Sequence, residues 1–452
     1  MTHEHENHNG NAGPGYASPQ DAIQNAPREE FVYVAGLYEG TGVQEPDFLA
    51  VIDVHPDSDT YSQIIHRTSM PNVGDELHHY GWQACSSAHS CNHIGRDHLI
   101  VPGLRSSRFH ILNVSADPRR PEIAKVIEPE EVVRKTGYTR PHTVHCMPGD
   151  IITISMLGNK DGDAPGGFAV LDAKTFEVLG RWEKDKGDQE LMYDFWYQPR
   201  KNVMLSSEWA APNTFEPGFN LEDVAAGKYG HRLHIWDLEK QTHQQTIDLG
   251  ESGLVPLEVR WLHDPDAEEV LVAATLSSTV WHVHKNGTWT AEKVAEVESI
   301  ELEGWPIPVP GLITDSVVSM DDRYFYFSNW FHGDLRQYDI SDPAHPRLNG
   351  QVWLGGLQKK GRHGDRVLDG GPQMLQLSMD GRRLYVTNSL YSTWDNQFYP
   401  NLESWLMKVD IAEDGTMAVD PSFYVDFSAL PGRPRAHEIH LPGGDVTTEI
   451  FA

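Results

Sequence analysis

Seven polar residues recur along this chain at a steady stride. His79, His142, Asp194, Glu258, Asp315, Gln373 and His437 are separated by 63, 52, 64, 57, 58 and 64 residues. Each opens a short stretch in which apolar residues dominate, so a repeat that gathered them would ring one place with three imidazoles, three carboxylates and an amide. Imidazole nitrogens with no obligatory thiolate suit copper, zinc, nickel or iron, and the Irving–Williams order puts copper highest. His78, beside His79, and His145, three residues after His142, each offer one nitrogen more. Side chains alternate across a strand, so His78 and His79 can both ligate only where the strand turns or bulges; otherwise one of them packs or faces solvent. The candidate metal set is His78, His79, His142 and His437, with His145 as a possible addition. Asp194, Glu258 and Asp315 are the candidate catalytic bases, their pKa tuned by burial and nearby charge. Their alternative role is to accept hydrogen bonds that orient the ligating imidazoles.

Other reactive side chains carry weaker signals. Cys85 follows His79 by six residues and Cys146 follows His145 directly, so each is a candidate thiolate ligand or redox thiol, or else a buried structural cysteine. Cys91 lies in a polar connection. His332 is a candidate extra ligand or proton relay, against a purely structural hydrogen bond. His3, His5 and His8 could catch a divalent ion, but nothing nearby fixes their geometry. His263 and His345 stand in turn-like contexts away from the ring.

The elements that must position these residues repeat with the same period. An apolar run ending in Asp or Asn closes at Asp53, Asn113, Asp172, Asp237, Asp339 and Asp410, and a degenerate copy closes at His284. A second β-rich run precedes each of them, as in 151–155 (Ile-Ile-Thr-Ile-Ser) and 324–328 (Tyr-Phe-Tyr-Phe-Ser). Seven copies at about 60 residues each fit four strands and their loops per repeat. The expected fold is all-β, a seven-bladed β-propeller. The run 31–36 has no first strand before it, whereas 437–441 looks like a first strand without its blade, so the C-terminal strand should join the N-terminal strands and close the ring. Residues 1–29, polar and aperiodic, read as a flexible arm, and 30–452 as a single propeller domain. Long aromatic loops at 208–229, 329–333 and 391–399 should roof the ring and exclude water from it.

Composition narrows the partners. The 452 residues carry 36 Lys and Arg against 66 Asp and Glu, a formal net charge of −30, which disfavours nucleic acid and anionic membrane. The first residues lack the basic and apolar regions of a signal peptide, and no apolar run approaches the ~18 residues of a membrane span. Three cysteines in so long a chain argue against a secreted disulfide framework. The expected location is cytoplasmic; the oligomeric state is not legible.

Several segments resemble the selenium-binding protein / methanethiol oxidase family: 75–87 (Asp-Glu-Leu-His-His-Tyr-Gly-Trp-Gln-Ala-Cys-Ser-Ser), 193–200, 207–213, 328–343 and 370–374. The resemblance runs from about residue 13 to 445. It implies a copper-dependent oxidase that converts methanethiol, oxygen and water into formaldehyde, hydrogen sulfide and hydrogen peroxide. It also implies copper ligation by histidines, with His78, His79, His142 and His437 in the matching motifs. Animal members carry a cysteine linked to selenium binding where this chain has Ser62, which speaks against selenium attachment there.

The rival reading from another class is a non-catalytic selenium or metal carrier, or a propeller scaffold for a protein partner. Neither scaffold nor partner surface requires a three-histidine ring. A lactonase-like hydrolase would hold calcium through oxygen ligands, which three imidazoles do not suit.

Overall fold

The computed structural model describes residues 13–91, 93–358 and 360–452; His3, His5 and His8 therefore lie outside the described residues. Among the described residues there are seven four-stranded antiparallel sheets and one small hairpin, Arg362–His363 with Arg366–Val367. The sheets are the blades of a propeller. In chain order, blades 1 to 6 span residues 81–127, 138–181, 195–248, 256–296, 313–353 and 375–426. The seventh is composite: Arg435–His440 pairs antiparallel with Phe31–Leu37, Tyr33 opposite His440, and two further N-terminal strands complete it. A ring closed in this way leaves no blade face or inner sheet edge unpaired.

Burial explains why the inner strands read as unbroken apolar runs. Phe48–Asp53, Val203–Ser207 and Tyr324–Asn329 are buried at every position, because both faces of each blade pack on neighbouring blades. Outer strands such as Glu122–Ile127 and Arg347–Trp353 are mostly half-buried or exposed. The recurrent terminal Asp or Asn has a local cause. Its side-chain oxygen accepts the backbone N–H two residues on, from His55 to Asp53 at 2.9 Å, Ser115 to Asn113 at 2.8 Å, Lys174 to Asp172 at 2.9 Å and Ser341 to Asp339 at 3.0 Å. This turns the chain into the outer strand.

A second repeated contact joins neighbouring blades at the end where the site lies. A hydroxyl on or just past the second strand of one blade donates to a carbonyl on or beside the innermost strand of the next. Ser155 donates to Tyr193 at 2.6 Å, Ser207 to Leu257 at 2.5 Å, Thr275 to Ile313 at 2.5 Å, Ser328 to Gln373 at 2.7 Å and Thr387 to His437 at 2.6 Å. Each accepting carbonyl belongs to a polar ring residue or one within two positions of it. Polar atoms this deeply buried must be paired, so the bonds fix the ring's spacing.

Where a flexible arm was expected over 1–29, residues 13–29 are packed onto the ring. Helix Pro19–Asn25 is capped by Ser18 and buries Ala22 completely among Met379, Val317 and Leu377. Glu29 is buried against Arg383, with the Tyr385 hydroxyl donating to it at 2.7 Å. Ala22, the half-buried Tyr16, Ile23 and Ala26 beside it, and the ion pair of Glu29 hold the segment, too few and too scattered for a composition-based reading to register. At the other terminus, Ile450 joins Cys85, Cys146, Trp196 and Trp261, while Val446 and Phe451 join Val317, Leu377 and Met379. These are residues toward the C-terminal ends of innermost strands, so the C-terminal segment crosses the ring on the side opposite the histidines. No helix of the described residues is long and apolar enough to cross a membrane.

Candidate functional site

The first strand of blade 1 begins only at Gly81, and Glu76 adopts a left-handed backbone with φ 52°. The chain is therefore irregular at 78 and 79, which lets both adjacent imidazoles face the ring. Ligand atoms of His78, His79 and His142 lie within 4.8 Å of one another. His437, from the closing strand, stacks on His78 with ring centroids 3.9 Å apart and planes 13° from parallel. The rings of His79 and His142 lie tilted with centroids 3.8 Å apart, and the ring of Tyr193 lies 3.9 Å from that of His142. All four histidines are buried. The three metal-spaced imidazoles and His437 thus meet at one mouth, whereas His145 lies further along its strand, 5.1 Å from the ring of Trp196.

The tautomers of two imidazoles follow from their partners. The Ser389 carbonyl lies 2.7 Å from His437 Nδ1 and can only accept, so Nδ1 carries the proton and Nε2 keeps its lone pair. Thr143 Oγ1 donates to Asp194 Oδ1 at 2.7 Å and lies 3.0 Å from His142 Nδ1. Its own proton being committed to the carboxylate, the hydroxyl accepts from His142 and again leaves Nε2 free. Buried Nε2 atoms of His79, His142 and His437 and Nδ1 of His78 have no hydrogen-bond partner. Burial first, then neighbouring imidazoles, holds His78, His79 and His142 well below the usual histidine range, and burial pushes His437 down to about 4. Three neutral imidazoles with orphaned nitrogens at metal-ligand spacing, and a fourth stacked on His78, form a buried donor set that suits a late first-row transition ion.

The carboxylates of the ring serve a residue that the sequence reading missed. Arg260, buried on the first strand of blade 4, reaches Glu258 Oε2 at 2.7 Å, Asp194 Oδ2 at 3.2 Å and Asp315 Oδ1 at 3.3 Å. Asp194 also accepts the Val259 N–H at 2.7 Å, and Asp315 those of Leu375 at 2.6 Å and Ser316 at 2.7 Å. Both are thus tied into the joints between blades. Glu258 differs: its Oε1 has no hydrogen-bond partner and lies 4.0 Å from His79 Nε2. Burial raises Glu258 well above the ordinary carboxylate range; Arg260 works against the rise and the charges of Asp194 and Asp315 add to it. Burial likewise brings Asp315 to about 7. The available signal was a lone Arg in an apolar strand, two residues after a ring carboxylate.

Glu438, next to His437, was also overlooked. Its Oε1 lies 3.8 Å from His79 Nδ1 and 3.2 Å from His440 Nε2, while Oε2 accepts the Tyr80 N–H. Burial disfavours a charged His440, but Asp445 at 2.8 Å and Glu438 override it and hold its pKa well above the usual value. Gln373 is buried at the mouth with its Oε1 unpaired.

The aromatic loops form the expected roof: Tyr193, Trp209, Phe215, Trp330, Tyr391, Trp394 and Tyr399 share one buried cluster. His332 Nε2 donates to the Val309 carbonyl at 3.0 Å, a structural role. Cys85 and Cys146 are joined as a disulfide beyond His145, and Cys91 is free. Ser62, at a turn with φ 63°, accepts the Tyr424 N–H at 2.9 Å. His263 is buried, bonded to the Val318 carbonyl at 3.2 Å, rather than lying in an open turn; His345 is exposed.

Comparison with known proteins agrees with this architecture over the whole chain. A Xenopus laevis protein named methanethiol oxidase is 50% identical, the match covering 98% of this chain and 99% of its own. The Homo sapiens protein of that name is 49% identical with the same coverage. A crystal structure of a hypothetical selenium-binding protein from Sulfolobus tokodaii superposes with a TM-score of 0.93 at 48% identity, covering 97% of this chain and 98% of that one. A family model described as 56kDa selenium binding protein matches residues 10–452, and the chain belongs to that family.

Proposed function

We propose that this protein is a copper-dependent methanethiol oxidase, converting methanethiol, O2 and water into formaldehyde, hydrogen sulfide and hydrogen peroxide. The equation balances as written, with the methyl carbon oxidised and O2 reduced by two electrons. The observation that carries the reading is the set of orphaned, neutral imidazole nitrogens of His78, His79, His142 and His437 in one roofed mouth. The names of the relatives supply the substrate class.

Copper held by these histidines would supply a soft Lewis acid and a one-electron redox centre for thiol sulfur and oxygen. The protein supplies the rest. The roof of Trp209, Trp330 and Tyr391 excludes bulk water and restricts the mouth to small molecules. In this reading Glu258 takes the thiol proton, supported by its unpaired Oε1 4.0 Å from His79, and Arg260 steadies its carboxylate. Asp194 and Asp315 position: Asp194 orients His142 through Thr143, and Asp315 holds the neighbouring blade.

The reading is tested by loading metal-stripped protein with copper and supplying methanethiol. Sulfide, peroxide and formaldehyde should appear in equal amounts and only in the loaded sample. Equal turnover by stripped and loaded protein would refute it.

A further inference from the structure

A second cluster of ligand-bearing side chains lies on blade 3, away from the mouth. His234, on strand Arg232–Asp237, is fully buried; His243 lies on the adjoining outer strand Thr242–Asp248; Asp188 comes from the connection between blades 2 and 3. His234 Nδ1 and His243 Nε2 are 3.1 Å apart, and His243 Nε2 is 3.6 Å from Asp188 Oδ1. A zinc ion bound tetrahedrally at 2.0–2.1 Å spaces its ligand atoms by about 3.3 Å, between these two values.

The surroundings are built for such an ion. Glu208, almost wholly buried, lies 3.0 Å from His234 Nε2. A carboxylate there takes the Nε2 proton and turns the Nδ1 lone pair toward His243, as the acceptors behind metal-ligating histidines do. Arg232 Nη2 holds Glu208 at 3.0 Å, and its Nη1 lies 3.6 Å from Asp188 Oδ2, leaving Oδ1 for the cluster. The Thr246 hydroxyl donates to Asp188 Oδ1 at 2.6 Å and lies 3.2 Å and 3.4 Å from the two nitrogens. The connection is pinned by a His243 N–H bond to the Asp185 carbonyl at 2.9 Å. At Gly187 a Cβ would fall 2.4 Å from His243 Nδ1, so the loop approaches the imidazole as closely as it does only with glycine there.

We infer that His234, His243 and Asp188 form a second metal site, taking a divalent ion of the zinc class through two imidazoles and one carboxylate. The ion would clip the connection between blades 2 and 3 to the outer edge of blade 3, with the remaining coordination position on the solvent side, where Asp188 is exposed. The donor set, nitrogen-rich with one carboxylate, favours zinc over calcium or magnesium. It is independent of the copper reading.

The test is equilibrium dialysis of metal-stripped protein against micromolar Zn2+, with bound metal counted per chain. Asp188→Asn, at an exposed side chain, and His243→Gln, on the outer strand of the blade, should each bind one equivalent less than wild type. Circular dichroism should remain native, and copper-loaded turnover unchanged. Cobalt should give d–d bands of a low-coordinate site that His243→Gln removes. If both variants retain the wild-type number of equivalents, or if wild type takes up no zinc that they lack, the site does not exist.

Discussion

Asp194 reaches His142 through a single hydroxyl: Thr143 Oγ1 donates to Asp194 Oδ1 at 2.7 Å and accepts from His142 Nδ1 at 3.0 Å. The two ring residues come from adjacent blades, so joining blades 2 and 3 also sets which nitrogen of His142 faces the mouth. The orientation of that imidazole is therefore coupled to the assembly of the ring.

Thr143→Val keeps the shape and removes that relay. Copper affinity should fall by about 10- to 100-fold, and stability by about 1–3 kcal/mol, because the buried Asp194 Oδ1 and His142 Nδ1 lose their shared partner. Thr143→Ser should restore affinity. Competition against a chelator of known strength measures both; unchanged affinity in the valine variant would show that Asp194 does not orient His142.

Arg260 is the counter-ion of three buried carboxylates. Arg260→Leu should cost about 3–5 kcal/mol, the usual consequence of leaving buried charge uncompensated. Adding Glu258→Gln should recover part of the loss, because one carboxylate then needs no partner. Urea unfolding of the single and double variants reads this directly, and additive losses would contradict the shared role.

His263 gives a clean dependence on pH, since it is buried and outside the mouth. Burial, opposed by its bond to the Val318 carbonyl, pushes it down to about 4. A histidine depressed in the fold binds fewer protons there than when unfolded, so its stabilising contribution is present above pH 6.5 and lost as pH falls toward 4. The destabilisation caused by His263→Gln should therefore shrink by about 1.4 kcal/mol per pH unit across that window. Comparing wild type with the variant cancels the opposite trend of raised carboxyls such as Asp322. A penalty independent of pH would mean that His263 is not held neutral.

Removal of residues 436–452 takes away both the strand that closes the seventh blade and the segment that crosses the ring beneath it. The truncated chain should show no cooperative thermal transition, because an unclosed ring exposes the edge of Phe31–Leu37 and an apolar blade face. A native-like melt would show that closure is dispensable.

How much of this was legible depended on whether a feature repeats. The terminal Asp and Asn of the third strands, the hydroxyls of Ser155, Ser207, Ser328 and Thr387, and the seven mouth residues all obey the period of the fold, so the ring and its closure could be read from spacing. Arg260 occurs in one blade only, and its meaning lies in three carboxylates brought from residues 194, 258 and 315. Packing of residues 13–29 rests on Tyr16, Ala22, Ile23, Ala26 and Glu29, and Met379 of the shared cluster and Arg383, the ion-pair partner of Glu29, lie more than three hundred residues away. His263 follows the same logic: its Leu-His-Asp-Pro context signals a turn, but the burial comes from blade 5.

The central claim, that the imidazoles of the mouth hold the copper that performs the oxidation, is tested most directly by His79→Ala, His142→Ala and His437→Ala, with exposed His345→Ala as control. Copper per chain and sulfide release from methanethiol would be measured on the same samples, together with circular dichroism. Each ring variant should lose most of its copper and nearly all sulfide release while keeping a native spectrum, and His345→Ala should match wild type. Stoichiometric copper and normal sulfide release in all three ring variants would place the chemistry elsewhere and contradict the account.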